Sequence, residues 1–329
     1  MKIIVGLVAV VGVGLSSACA DVGGSGAAGA SGASVVVENC GRSLSVAAQP
    51  RRAVGLEQNA TEILLSLGLA DRMVGTSYQT DPVLPELKSA YDSVPVLAEL
   101  YPSREAVLAA GPDFVYSTFT SAYAGDAAGD RGALGERGIP AYLSRFACEE
   151  PADGAATVGF EGLFGEIEEV ARIFGVADRG TDLVARQRAR LRAAVEAAAG
   201  SGERSVLWYY SGTSTPYVAG AGGMPAAIGA ALGVRNVYGD VRQAWPAGSW
   251  EQIAQRNPDV IVLADLTRGG DGDSAQSKLD FLRSNPVTSK LDAVKEGRFI
   301  TVSGSSMDPS VRSVAAVEQV SAGLKELGR

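Results

Sequence analysis

Hydrophobic positions recur along the chain with two periods, near two in short runs and about 3.6 in longer ones. RRAVGL (51–56) reads as a strand, and QNATEILLSLGL (58–69) as a helix that Thr61 and Glu62 open and Gly68 ends. MVGTS (73–77) is a second strand, ALGERGIPAYLS (133–144) a helix and a strand, and VVVENCGRSLSV (35–46) an edge hairpin. Strands alternating with helices imply a parallel sheet, hence an α/β unit. FEGLFGEIEEVARIF (160–174) sets Phe160, Leu163, Phe164, Ile167, Val170, Ala171 and Phe174 on one helical face. DRGTDLVARQRARLRAAVEAAAG (178–200) continues as a helix roughly 30 Å long, with Leu183, Gln187, Leu191, Val195 and Ala198 along one side. Strands and helices then resume with RSVLWYYSG (204–212), PAAIGAALGV (225–234), FITVSGS (299–305) and VRSVAAVEQVSAGLKELG (311–328). In WYY, alternation turns Trp208 and Tyr210 to one face and Tyr209 to the other.

The two α/β halves share a unit. SREAVLAAGPDFVYS (103–117) and SWEQIAQRNPDVIVL (249–263) both read as a Ser-capped short helix, Pro-Asp, and a buried strand. LSLGLADRMVGTS (65–77) precedes the first copy much as AALGVRNVYGDVR (230–242) precedes the second. The expected fold is therefore α/β, with two similar three-layer lobes around parallel central sheets, residues 35–157 and 203–329. A helical connection at 158–202 contains the joining helix 178–200.

Charge and composition narrow the chemistry. The 329 residues carry 29 Lys and Arg against 37 Asp and Glu, a net charge of −8, so no basic footprint for nucleic acid is present. The chain has no histidine, which removes Ser-His-Asp and Cys-His nucleophiles, histidine bases and histidine-held zinc together. Paired carboxylates, as in ACEEPADG (147–154), leave a surface enzyme as one alternative. The GAGG run (220–223) fits neither a dinucleotide fingerprint nor a P-loop and reads as a loop.

The first residues, MKIIVGLVAVVGVGLSSAC, hold one Lys and an apolar run from Ile3 to Leu15, a signal peptide over 1–18. Ser17 and Ala18 before Cys19 resemble the lipobox of bacterial lipoproteins, which implies lipidation at Cys19. Residues 19–34, rich in Gly, Ala and Ser, read as a flexible tether. Cys40 and Cys148 then remain as an even pair in an oxidising compartment, for which a disulfide is the simplest accounting and two buried thiols the other.

Lipobox, tether, two matching lobes and one joining helix together resemble the substrate-binding proteins of bacterial ABC importers for ferric siderophores and cobalamin. The stretches that carry the resemblance are LEQNATEILLSLGLADRMVGTS (56–77) and AWPAGSWEQIAQRNPDVIVL (244–263). It implies a non-enzymatic carrier, exported and lipid-anchored on the outer face of the cytoplasmic membrane, monomeric, and serving a permease dimer with its ATPase subunits. Ligand would lie between the lobes at Gln58, Asn59, Tyr78, Tyr101, Tyr210, Trp245 and Arg312, while Glu105 and Glu251 would dock on the transporter. No resident cofactor or metal site is implied, because a metal would arrive already chelated, in a siderophore, corrinoid or haem. A deazaflavin-cofactor precursor is the alternative cargo. Arg145, Arg268 and Arg312 are candidate partners for an anionic ligand.

Overall fold

Two parallel sheets organise the chain, and the computed structural model describes residues 34–148, 159–199 and 203–328. Cys19 with its signal peptide, the tether up to residue 33, the boundaries at 157/158 and 202, and the acidic stretch from residue 149 lie outside the described residues. An antiparallel ribbon of β1 (Val35–Asn39) and β2 (Arg42–Val46) precedes the first sheet. That sheet runs β5 (Val96–Ala98), β4 (Met73–Ser77), β3 (Ala53–Gly55), β6 (Phe114–Ser117) and β7 (Ala141–Leu143), all parallel. The second runs β10 (Arg235–Asn236), β8 (Ser205–Ser211), β11 (Val260–Asp265) and β12 (Phe299–Ser303), with β9 (Tyr217–Val218) antiparallel against β8. In each sheet the chain thus goes first to one side of the opening strand, to β4 and β5 or to β10, and then to the other, to β6 and β7 or to β11 and β12.

Burial follows the period of two. Along β6, Phe114 and Tyr116 enter one core while Val115 enters another; along β8, Val206 and Trp208 separate from Leu207 and Tyr209 in the same way. Each sheet is therefore covered on both faces, which makes each lobe three layers deep. One core is shared, since the inner faces of both sheets pack with the helices Phe160–Ile173, Ala177–Ala198 and Ser313–Leu327. All seven apolar residues read onto one face of 160–174 are buried. The joining helix spans Ala177–Ala198, with Leu183 and Gln187 buried and Leu191 and Val195 half-buried.

The repeated unit has a structural reason. Ser103 and Ser249 each accept a hydrogen bond from the backbone N–H three residues on, Ala106 at 3.3 Å and Gln252 at 3.2 Å. The shared Asp then reaches sideways: Asp113 accepts from the N–H groups of Arg51 and Arg52 at 2.8 and 2.9 Å, and Asp259 from that of Ser205 at 2.7 Å. In both lobes the Asp that leads the repeated unit's strand, β6 or β11, thereby fixes the start of the sheet's first strand. Gly68 and Gly233, at φ of 70° and 68°, end the corresponding helices in left-handed geometry.

Two local readings change. The helix expected to open at Thr61 and Glu62 starts at Gln58, because Glu57 caps it by accepting from the N–H of Ala60 at 3.4 Å, leaving Thr61 and Glu62 in the buried interior. The hairpin expected at a sheet edge is a separate ribbon. It turns at Cys40 and Gly41, both at positive φ, and is tied to the end of β7 by a Cys40–Cys148 disulfide and by the Asn39 side chain, which bonds both backbone groups of Leu143.

Candidate functional site

In a doubly wound sheet the connections diverge where strand order reverses, leaving a crevice at the carboxyl ends of the two central strands. In the first lobe those strands are β3 and β6, followed by Glu57 and Thr118; in the second they are β8 and β11, closing on Tyr210 and leading to Arg268. The two crevices meet. Residues from both line one inner cavity of about 180 Å³, which opens into an outer cleft of about 500 Å³ sharing Tyr78 and Arg268. At the outer rim Leu100 and Tyr217, one from each lobe, are exposed.

Gln58, Asn59, Tyr78, Tyr101, Tyr210 and Trp245 all line the inner cavity. Their surroundings give them different work. Tyr78 meets Tyr101 edge-on with ring centroids 4.6 Å apart, and Tyr210 lies 4.5 Å from Trp245, so each lobe contributes one aromatic pair, every ring half-buried. Tyr78 sits at φ 49°, a strained setting for an aromatic residue that aims its ring at the cleft. Trp245 is placed through glycine: a Cβ on Gly220 would lie 2.2 Å from the Gln243 carbonyl, so only glycine lets the 241–244 backbone approach this closely. Gln58 is occupied within its own lobe, its Oε1 accepting from the Thr80 N–H and hydroxyl and the Asp81 N–H at 2.8–3.0 Å, which shapes the 80–81 turn.

That turn crosses to the second lobe. The Thr80 carbonyl accepts from the N–H and hydroxyl of Thr267 at 3.1 and 2.7 Å, and Asp81 accepts from the Ser305 N–H at 2.7 Å. Arg312 belongs to this seam and not to the cavity lining, which corrects its expected place at the ligand. Its guanidinium holds both carboxylate oxygens of buried Glu62, Nε to Oε2 at 2.6 Å, and donates to the Pro82 carbonyl at 2.7 Å. The arginine is drawn away because Glu62 is the buried acid that requires a partner. The other two arginine candidates are likewise paired: Arg268 with Asp273 at 2.7 Å, Arg145 with Glu169 at 3.6 Å and outside the lining.

Two lining acids escaped the sequence reading. Glu57 accepts from the Ser117 hydroxyl at 2.7 Å and from the N–H and hydroxyl of Thr118 at 2.6 and 2.9 Å, yet burial outweighs these bonds and raises its pKa to about 7. Asp308 is also raised to about 7, first by burial and further by the nearby Asp81 and Glu57 charges. Its Oδ2 accepts from the Tyr210 hydroxyl at 3.0 Å, and its Oδ1 has no partner among the described residues. Glu57 could have been found as the acid between a strand and a helix; Asp308 carries no local signal.

Glu105 and Glu251 follow the two capping serines, their side chains exposed, close in the chain to the cavity residues Tyr101 and Trp245. Among the described residues no cluster of His, Cys, Asp and Glu is arranged to hold a metal, and no helix is long and apolar enough to cross a membrane.

Comparison with known proteins follows the same outline. The vitamin B12-binding protein of Vibrio campbellii is 26% identical over 231 residues, covering 70% of this chain and 76% of that protein. A periplasmic binding protein from Veillonella parvula matches with a TM-score of 0.77 at 29% identity, over 88% of this chain and 97% of that one. An ABC-type Fe3+-hydroxamate transport system structure from Saccharomonospora viridis shares the fold at 24% identity and a TM-score of 0.75, over 88% of this chain and 98% of that one. Residues 54–305, which hold all but the first residue of the two sheets and every residue of the inner cavity lining except Asp308, match the family described as periplasmic binding protein, and the chain belongs to that family.

Proposed function

We propose that the protein is an extracytoplasmic carrier that captures a chelated-metal ligand between its lobes, a ferric siderophore foremost and a corrinoid or haem otherwise, and delivers it to an ABC importer. The observation that carries this reading is the pair of aromatic side chains that each lobe sends into one cavity at its switch point. Rings with polar edges suit bulky, partly flat ligands. The similarity to vitamin B12-binding proteins supports the same class. In this reading Cys19 anchors the carrier as a monomer, and Glu105 and Glu251 face a permease dimer with its ATPase subunits. The test is the mass and absorption spectrum of what co-purifies from a native source. A ferric, corrinoid or haem chromophore released on denaturation is expected; a deazaflavin-type chromophore would reassign the cargo, and turnover of the bound molecule would defeat the carrier reading.

A further inference from the structure

Of the three arginines considered for an anionic chelate only Arg268 lines the cavity, and all three are already paired. What the inner cavity offers instead is acceptors. Asp308 and Asn59, each 2% exposed, line it, and among the described residues the Oδ1 of each is unpartnered. A buried acceptor without a donor is costly, and a ligand that brings the donor recovers that cost. Beside them Tyr210 and Trp245 line the same cavity, and aromatic rings of this kind attract cations. Arg268 lies 5.7 Å over the Tyr210 ring, but its charge is answered by two bonds to Asp273. Glu57 adds negative field without a free contact, since Ser117 and Thr118 occupy its oxygens.

We propose that the inner cavity recognises its ligand through a cationic or N–H-donating group, a protonated amine or an amide, bound to Asp308, and discriminates against a carboxylate at that end. The proposal rests on the carrier reading and deepens it. The groups facing Asp308 are Tyr210, which donates to it, Arg268, Asp81, Glu57 and Tyr101. Arg268 favours its ionised form, the two other acids oppose it, and with burial the balance sets ionisation near pH 7. Donor capture therefore strengthens as pH rises through that value.

Two matched probe pairs test this by calorimetry or tryptophan quenching: a ferric trihydroxamate with a free amine arm against its N-succinyl derivative, and cobalamin against the derivative with one side-chain amide hydrolysed to a carboxylate. For whichever scaffold binds, the donor-bearing member should bind about tenfold or more tightly at about pH 8, the scale of a charge-assisted bond. The gap should narrow at about pH 5.5 and in Asp308→Asn, whose fold is checked by its melting curve. The wild-type comparison stands without the variant. Equal affinities, or preference for the carboxylate, would overturn the proposal alone, whereas absence of binding by all four probes would overturn the proposal together with the trihydroxamate and corrinoid readings of the cargo.

Discussion

Asp308 and Glu57 couple the cavity to pH. Both acids have folded pKa values near 7, above their ordinary range, so the folded protein holds protons that the unfolded chain has released. Their contribution to stability is therefore complete below about pH 4 and is lost as pH rises to about 7. Asp308→Asn removes one such group, and the ligand-free variant should gain a few kcal/mol at about pH 8, with less gain at about pH 5.5. Thermal unfolding at the two pH values reads this directly, and a variant less stable at the higher pH would contradict it. Trp245→Ala should weaken ligand binding by about 1–3 kcal/mol, measured by titration with the co-purified ligand. Unchanged affinity would make Trp245 a wall of the cleft without ligand contact. Residue-scale chemistry was only half legible in sequence. Tyr78, Tyr101 and Trp245 stand between elements that the pattern marks and Tyr210 near the end of a strand, so the family resemblance could carry all four to the cleft. Asp308 owes its character first to burial and then to the charges of Asp81 and Glu57, distant in sequence, and nothing in its own neighbourhood announces a buried acid.

Among elements, the seam between lobes was the least readable feature. The strands, the joining helix and the repeat follow from periodicity, and even the Asp of Pro-Asp recurs in plain sight. The start of the helix at Gln58 was missed because Glu is an uncommon cap, so Thr61 and Glu62 looked like the opening. Glu62 then read as a first-turn acid when it is a buried partner for Arg312. Breaking that pair from one side leaves a buried charge unanswered, and Arg312→Met or Glu62→Gln should cost about 3–5 kcal/mol in unfolding free energy. The double variant should lose clearly less than the sum, as contacting residues do. Additive losses in chemical denaturation would show that the two side chains act independently.

The whole molecule meets its surroundings through symmetry and through the disulfide. Glu105 and Glu251 recur at matching places, exposed in the first turn of their helices, where the helix dipole favours a carboxylate by about 0.3–1 kcal/mol. That preference explains one acid on one helix, whereas the proposed docking of a two-lobed carrier on a permease dimer would use both. The Glu105→Arg, Glu251→Arg double variant should therefore bind ligand and unfold normally while failing in uptake through the cognate importer. Normal uptake would remove the docking role. The disulfide holds the ribbon to the first lobe across 108 residues, and Cys40→Ser with Cys148→Ser should lower stability by roughly 2–5 kcal/mol. Denaturant titration without reductant measures it.

The ion pair at the seam also sets an order of events. Glu62 and Arg312 are 250 residues apart, and no other cation is bonded to that carboxylate among the described residues. A chain emerging from its amino end can assemble the first sheet long before Arg312 exists. Until then the first lobe must either keep Glu62 hydrated, with its helix loosely docked, or bury a lone charge at a cost of several kcal/mol. Nucleation in the first lobe is therefore provisional, and commitment waits for the terminal helix to settle against the joining helix. In refolding, protection of the helix Gln58–Ser66 against hydrogen exchange should appear together with that of Ser313–Leu327, later than protection of β3 and β6.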